Sequence, residues 1–126
     1  MTRDKRASDN HALITAQKIA LKNKAALIVC FQYFGHFKKA NLRQYEFLFK
    51  GLEETSDNLS KLNIDFHLLQ GPAESVIPKI VNQLSVGSIV TDYSPLKVYK
   101  KRLKKVLDKI TVPVCQVDSH NIVPVW

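Results

Sequence analysis

Four short apolar runs punctuate the chain, and longer amphipathic stretches fill the intervals between them. Residues 25–31, 64–69, 88–91 and 112–117 read as strands, because continuous apolar runs of this length, bounded by turn formers, match strands covered on both faces. Helical spacing takes over elsewhere. From Asp9, placed to cap, Leu13, Ala16 and Ala20 fall on one face. Between Asn41 and Leu62, the residues Leu42, Tyr45, Leu48, Phe49, Leu52, Leu59 and Leu62 form one stripe. Val76, Ile77, Ile80, Val81 and Leu84 form another, with Pro72 suited to the first turn. Strand and helix in alternation predict an α/β fold, a Rossmann-like three-layer α/β/α arrangement with a mostly parallel sheet, in one domain spanning residues 1–126.

In such sheets ligands gather beyond the carboxyl ends of the strands. The residues there are Gln32 to Phe37, Gln70 to Pro72, Asp92 to Pro95 and Asp118 to Asn121. Their aromatic rings and polar tips suit a flat, partly polar ligand, and the candidate contacts are Phe31, Gln32, Tyr33, Asp92, Tyr93, Ser94, Asp118 and Asn121. Asp92 and Asp118, each ending a strand, read either as a carboxylate pair at the mouth of the sheet or as caps of the following helix or turn.

Charge adds one feature to this picture. Lys and Arg number 19 against 11 Asp and Glu, a net charge of +8, and the excess is densest in the run from Ser94 to Lys109. There Leu96, Tyr99, Leu103, Val106, Leu107 and Ile110 keep helical spacing and leave Lys97, Lys100, Lys101, Lys104 and Lys105 on the other side. This is a solvated face that also offers salt-sensitive attraction to DNA, with Lys100, Lys101 and Lys104 as the candidate contacts.

Other chemistries lack their residues. Neither GxGxxG nor GxxxxGK[ST] occurs, so a small nucleotide-binding protein would have to work without the usual phosphate cradle. No G-x-S-x-G turn is present; His11, His36, His67 and His120 are scattered singly, and His67 lies within a strand. Cys30 and Cys115 sit inside apolar runs and read as reduced, buried thiols. No apolar run is long enough to span a membrane and no secretory signal is present, so the expected location is the cytoplasm.

Five segments carry a resemblance that periodicity does not. "TRDKRASDNHAL", "FKGLEE", "FHLLQG", "IVTDYSPLKV" and "VCQVDSHNIVPVW" resemble, in order and spacing, the amino-terminal α/β domain of class II cyclobutane pyrimidine dimer photolyases. The family pattern R-D-x-R-x-x-D-N-W-A-L falls on Arg3, Asp4, Arg6, Asp9, Asn10, Ala12 and Leu13, with His11 where the family has Trp. T-D-[FY]-S-P-L is complete in Thr91 to Leu96, and V-D-x-H-N-I-V-P-x-W in Val117 to Trp126. The resemblance implies an α/β domain that can hold an antenna chromophore, such as a deazaflavin, FMN or a folate, at the carboxyl edge of its sheet. Light-driven repair by reduced FAD belongs, in the family, to a helical domain that follows, so neither FAD binding nor repair is expected of this chain alone. The implied partners are that helical domain or a partner chain; an interaction domain docking on DNA or a flavoprotein through its basic helix is the alternative.

The resemblance also implies that the chain is cut at both ends. A first strand of the family, ending at the position of Met1, would lie between the strands of residues 25–31 and 88–91. Its absence removes several buried side chains worth roughly 1.5–3 kcal/mol each. The expectation is that the flanking strands close together, or that another segment or a partner chain fills the gap, a homo-oligomer through exposed strand edges included.

Overall fold

The computed structural model describes residues 1–35 and 41–119. Four helices alternate with four strands: α1 (His11–Asn23), β1 (Ile28–Tyr33), α2 (Leu42–Ser60), β2 (Asp65–Gln70), α3 (Ala73–Gln83), β3 (Ile89–Asp92), α4 (Lys97–Leu107) and β4 (Val114–Val117). The architecture is the expected Rossmann-like α/β fold. Its predicted strands and helices all form, with boundaries shifted by up to three residues.

Local chemistry sets those boundaries. Asn10, not Asp9, caps α1: its Oδ1 accepts from the Leu13 backbone N–H at 2.9 Å, as a short polar side chain at this position does well. Asp9 instead takes a left-handed φ of 49° and lies 3.5 Å from Arg6. At α2, Asn41 and Gln44 exchange side chain and backbone bonds in a capping box. Gly71, at φ 130°, turns β2 into α3, and its carbonyl accepts from the Gln32 side chain. That conformation suits glycine alone.

Each βαβ unit pairs its strands in parallel. Six residues of β1 register with β2, from Ile28 opposite Asp65 to Tyr33 opposite Gln70, and four of β3 with β4, from Ile89 opposite Val114 to Asp92 opposite Val117. α1 packs on β3 and β4, α2 on β2, and α3 on α4. The centre of the sheet, however, is open: among the described residues no ladder joins β1 to β3, and the four strands form two parallel pairs. The expected closure of these strands does not occur. Residues Met1 to Arg3 cross the opening at its carboxyl end instead, bonded to β1 on one side and β3 on the other.

The core lies at the β1–β2 half. Val29, Leu59 and Ile64 are buried together, and Met1, Ala7, Leu13, Leu27 and Phe66 pack around them. Other positions of the predicted stripes stay in solvent, notably Leu42 at 83% exposure, Leu62 at 57% and Leu96 at 59%. All three stand at or beyond a helix end, where spacing continues but no strand lies beneath. The two thiols also depart from expectation: Cys115 is exposed and Cys30 half-buried, because β4 and β1 each have an edge without a strand beside it.

Leu59 is fully enclosed. Leu59→Ala is expected to lower unfolding free energy by about 2–5 kcal/mol in denaturant titration, whereas Leu42→Ala should leave it within about 0.5 kcal/mol.

Candidate functional site

The carboxyl ends of β1 and β3 are held by a segment that precedes the first helix. Met1 donates its ammonium to the Cys30 carbonyl at 2.9 Å. Thr2 and Arg3 then donate successive backbone N–H groups to Asp92 Oδ2, each at 2.7 Å, and the Thr2 hydroxyl lies 3.0 Å from that of Thr91. Two consecutive amides aimed at one carboxylate oxygen form a concave anion site, and Asp92 fills it from within the protein. Asp92 therefore turns to the amino-terminal segment rather than capping α4, whose N-cap position is Leu96 without a side-chain bond.

Behind this joint the segment is pinned in three further places. Asn10, 2% exposed, donates Nδ2 to the carbonyls of Asp4 and Arg6 while capping α1. Thr55, buried in α2, donates its hydroxyl to the Lys5 and Gly51 carbonyls. Lys5 Nζ stands 5.7 Å from the centre of the Phe31 ring. The residues of R-D-x-R-x-x-D-N thus serve as a clasp. Sequence reading placed none of Met1, Thr2, Arg3 or Asn10 in the site; a polar motif before a helix was the signal that pointed to them.

The predicted ligand residues divide into two groups. Phe31 is buried, Gln32 bonds Gly71, and Tyr33 packs edge-on against Tyr45 and Phe49 of α2 with ring centres 6.0 and 5.2 Å away. Gln32 and Tyr33 are occupied in joining β1 to the end of β2 and to α2, and Phe31 meets Lys5 of the amino-terminal segment. The second group lies beyond β3 and β4. Tyr93 is half-buried, donates its N–H to Val117 O at 2.8 Å, and carries Lys100 Nζ 5.6 Å from its ring centre. Ser94 and Ser119 each stand two residues past the last registered pair, Asp92 and Val117. Among the described residues, Asp92 Oδ1, Ser94 Oγ and Ser119 Oγ are buried without a hydrogen-bond partner. Buried polar atoms are nearly always satisfied, so three orphans on one strand rim call for a polar ligand or water. Asp118 is half-buried beside them, and Asn121 lies outside the described residues.

The basic helix stands at the edge of this rim. Lys97, Lys100, Lys101, Arg102, Lys104 and Lys105 are exposed, and α4 contains no acidic residue. Lys105 Nζ lies 3.5 Å from Glu74 of α3, which holds the Glu74 carboxyl below its usual range together with a backbone hydrogen bond, the larger cause. Lys100 links the two predicted sites, since the cation named for DNA rests on a ring named for the ligand. Among the described residues no three His, Cys, Asp or Glu side chains gather as a metal site, and no helix is long and apolar enough to cross a membrane.

Burial pushes the Met1 ammonium below its ordinary value of 8.0, with Lys5 adding to the fall and Asp92 and Cys30 opposing it; burial pushes the Cys30 thiol above 9.0. The lowered amine means that the unfolded chain binds more protons than the folded one just below pH 8. Stability should therefore rise with pH through that window, then fall above pH 9 as the unfolded chain releases the Cys30 proton first. Denaturant titrations from pH 6 to 10 should show this maximum, and a chain acetylated at Met1 should lose the rising limb.

Known proteins match this arrangement at two levels. The family model described as DNA photolyase matches residues 1–126. A deoxyribodipyrimidine photo-lyase of Potorous tridactylus is 46% identical over the whole chain, and one of Arabidopsis thaliana 37%; the chain covers 24% and 26% of their lengths. One from Methanothermobacter thermautotrophicus is 34% identical over 92% of the chain, again covering 26% of that protein. The chain therefore spans about a quarter of the length of the curated relatives it matches. In three dimensions, a universal stress protein solved in complex with cAMP superposes with a TM-score of 0.62 and 18% identity, covering 95% of this chain and 94% of the other. That likeness concerns the fold.

Proposed function

The chain belongs to the DNA photolyase family, and from that premise we propose that it is an antenna-type α/β domain of the class II kind, holding a chromophore at the β3–β4 rim. The observation that carries this reading is the set of orphaned buried atoms, Asp92 Oδ1, Ser94 Oγ and Ser119 Oγ, next to the half-buried Tyr93 ring. A flat heteroaromatic ligand pairs with such a rim in two ways: ring stacking against Tyr93, and hydrogen bonds from ring substituents to the hydroxyls and the carboxylate. The donor set fits a deazaflavin, FMN or a folate, each of which supplies light absorption when bound. Ser94 and Ser119 orient the ligand, Tyr93 excludes water from one ring face, and Lys100 over that ring favours a ligand carrying negative charge. Repair of pyrimidine dimers in this reading requires an FAD-bearing helical domain as partner, and the intracellular setting is the cytoplasm.

A second reading has its own support in α4, where six cations face solvent without an acid among them. It assigns that face to DNA or a flavoprotein. Retention on DNA that falls steeply with salt, and disappears on charge reversal of Lys100, Lys101 and Lys104, would favour it.

Fluorescence titration with the three chromophores discriminates the leading reading. Saturable quenching or a spectral shift is expected for at least one, weakened about tenfold by Tyr93→Ala, which corresponds to about 1.4 kcal/mol. Absence of binding by all three would remove the antenna role.

A further inference from the structure

The three orphaned atoms of the rim differ in what they lack. Asp92 Oδ2 accepts the Thr2 and Arg3 amides, each at 2.7 Å, whereas Asp92 Oδ1 accepts nothing. A carboxylate oxygen can only accept, so Oδ1 calls for an N–H or O–H. The hydroxyls of Ser94 and Ser119 each have a proton to donate, and neither has a partner. One acceptor and two donors thus stand uncommitted at the end of one strand pair.

Their places in the fold bring them together. Asp92 stands opposite Val117 in the parallel register, and the bond from Tyr93 N to Val117 O carries the ladder past that pair. Ser94 and Ser119 follow Asp92 and Val117 by two residues each, so continuing the register sets them opposite one another. On a pleated ladder such neighbours are roughly 4.8 Å apart across the strands and about 6.6 Å apart along one. Residues two apart also share a face. Asp92 and Ser94 are each 5% exposed, so neither side chain faces bulk water.

We propose that this rim reads the lactam edge of its ligand: Asp92 Oδ1 accepts a ring N–H, and the Ser94 and Ser119 hydroxyls donate to the ring carbonyls beside it. The inference rests on the chromophore reading and adds the edge by which the ligand is chosen. The imide of a flavin or deazaflavin presents carbonyl, N–H and carbonyl in order, which satisfies all three atoms at once. A pterin edge carries one carbonyl and an amino group, which leaves one serine hydroxyl without an acceptor. The imide is therefore the better match. Asp92 decides between ligands, because a ring nitrogen that has lost its proton, or carries an alkyl group, leaves the buried carboxylate oxygen without a partner. A site built to hydrogen-bond one group rejects an analogue lacking it far more sharply than an apolar pocket does.

Fluorescence titration of the intact chain with lumiflavin, 3-methyllumiflavin and pterin reads the edge directly. Lumiflavin should bind saturably, 3-methyllumiflavin at least about tenfold more weakly, and pterin more weakly than lumiflavin. Equal binding of lumiflavin and its 3-methyl derivative, or tighter binding of pterin, would overturn this proposal and leave a chromophore at the rim. No binding by any of the three would remove both. Asp92→Asn separates the carboxylate from mere space for a methyl group, since its amide oxygen can still accept from Thr2 and Arg3 while its NH2 turns to the ligand. The variant should weaken lumiflavin about tenfold and leave 3-methyllumiflavin unchanged, and equal losses for both would contradict the assignment. Ser119→Ala, which leaves the Asp92 clasp untouched, should weaken lumiflavin several-fold; unchanged affinity would count against the proposal.

Discussion

One joint holds this molecule together: the Asp92 carboxylate gripping the backbone amides of Thr2 and Arg3 while the neighbouring Met1 ammonium bonds β1. Each half-sheet is only two strands wide, and a lone strand pair is marginal in water unless helices cover it. α1 and α2 supply that cover, and the clasp of residues Met1 to Asn10 is tied to α2 and β1 through Thr55 and Phe31 and to β3 through Asp92 and Thr91. Charged hydrogen bonds are the strong ones, and here they are short and shielded. A buried carboxylate without those two amides would meet a desolvation cost of several kcal/mol.

The same joint divides the rim. On the β1 side, Gln32 and Tyr33 are spent on Gly71 and on the rings of α2, so this side is structural. On the β3–β4 side, Asp92 keeps one oxygen uncommitted, and two serine hydroxyls share that condition. The asymmetry of the rim thus originates in where the amino-terminal segment lands. In this chain of the DNA photolyase family, which spans about a quarter of the length of its curated relatives, the cationic α4 follows that rim directly.

Much of this was legible in the residues because parallel strands buried on both faces leave continuous apolar runs, and each of the four runs became a strand. Caps were less legible: Asp9 and Asn10 are equally good candidates by type, and only the left-handed backbone at Asp9 decides between them. Burial at helix ends was misread for Leu42, Leu62 and Leu96, since helical period reports a face but not whether anything lies under its last turn. The missing central strand follows from the family resemblance, which led to the expectation that its neighbours close together or that another segment fills the gap; the neighbours stay unpaired, and which residues bridge them was not legible. Nothing in "MTR" marks a strand-like bridge; its role arises from contacts with residues some 30 and 90 positions away. The thiol of Cys115 was misplaced for the same reason, because an apolar run does not tell which strand stands at an edge.

Native-state hydrogen exchange of the Thr2 and Arg3 amides tests the central claim most directly. If they join the half-sheets, both should exchange as slowly as the ladder amides of β1 and β3, and open with them in one cooperative unit. Exchange of Thr2 and Arg3 at the rate of unprotected peptide, with β1 and β3 still protected, would show that the halves are held together by something else.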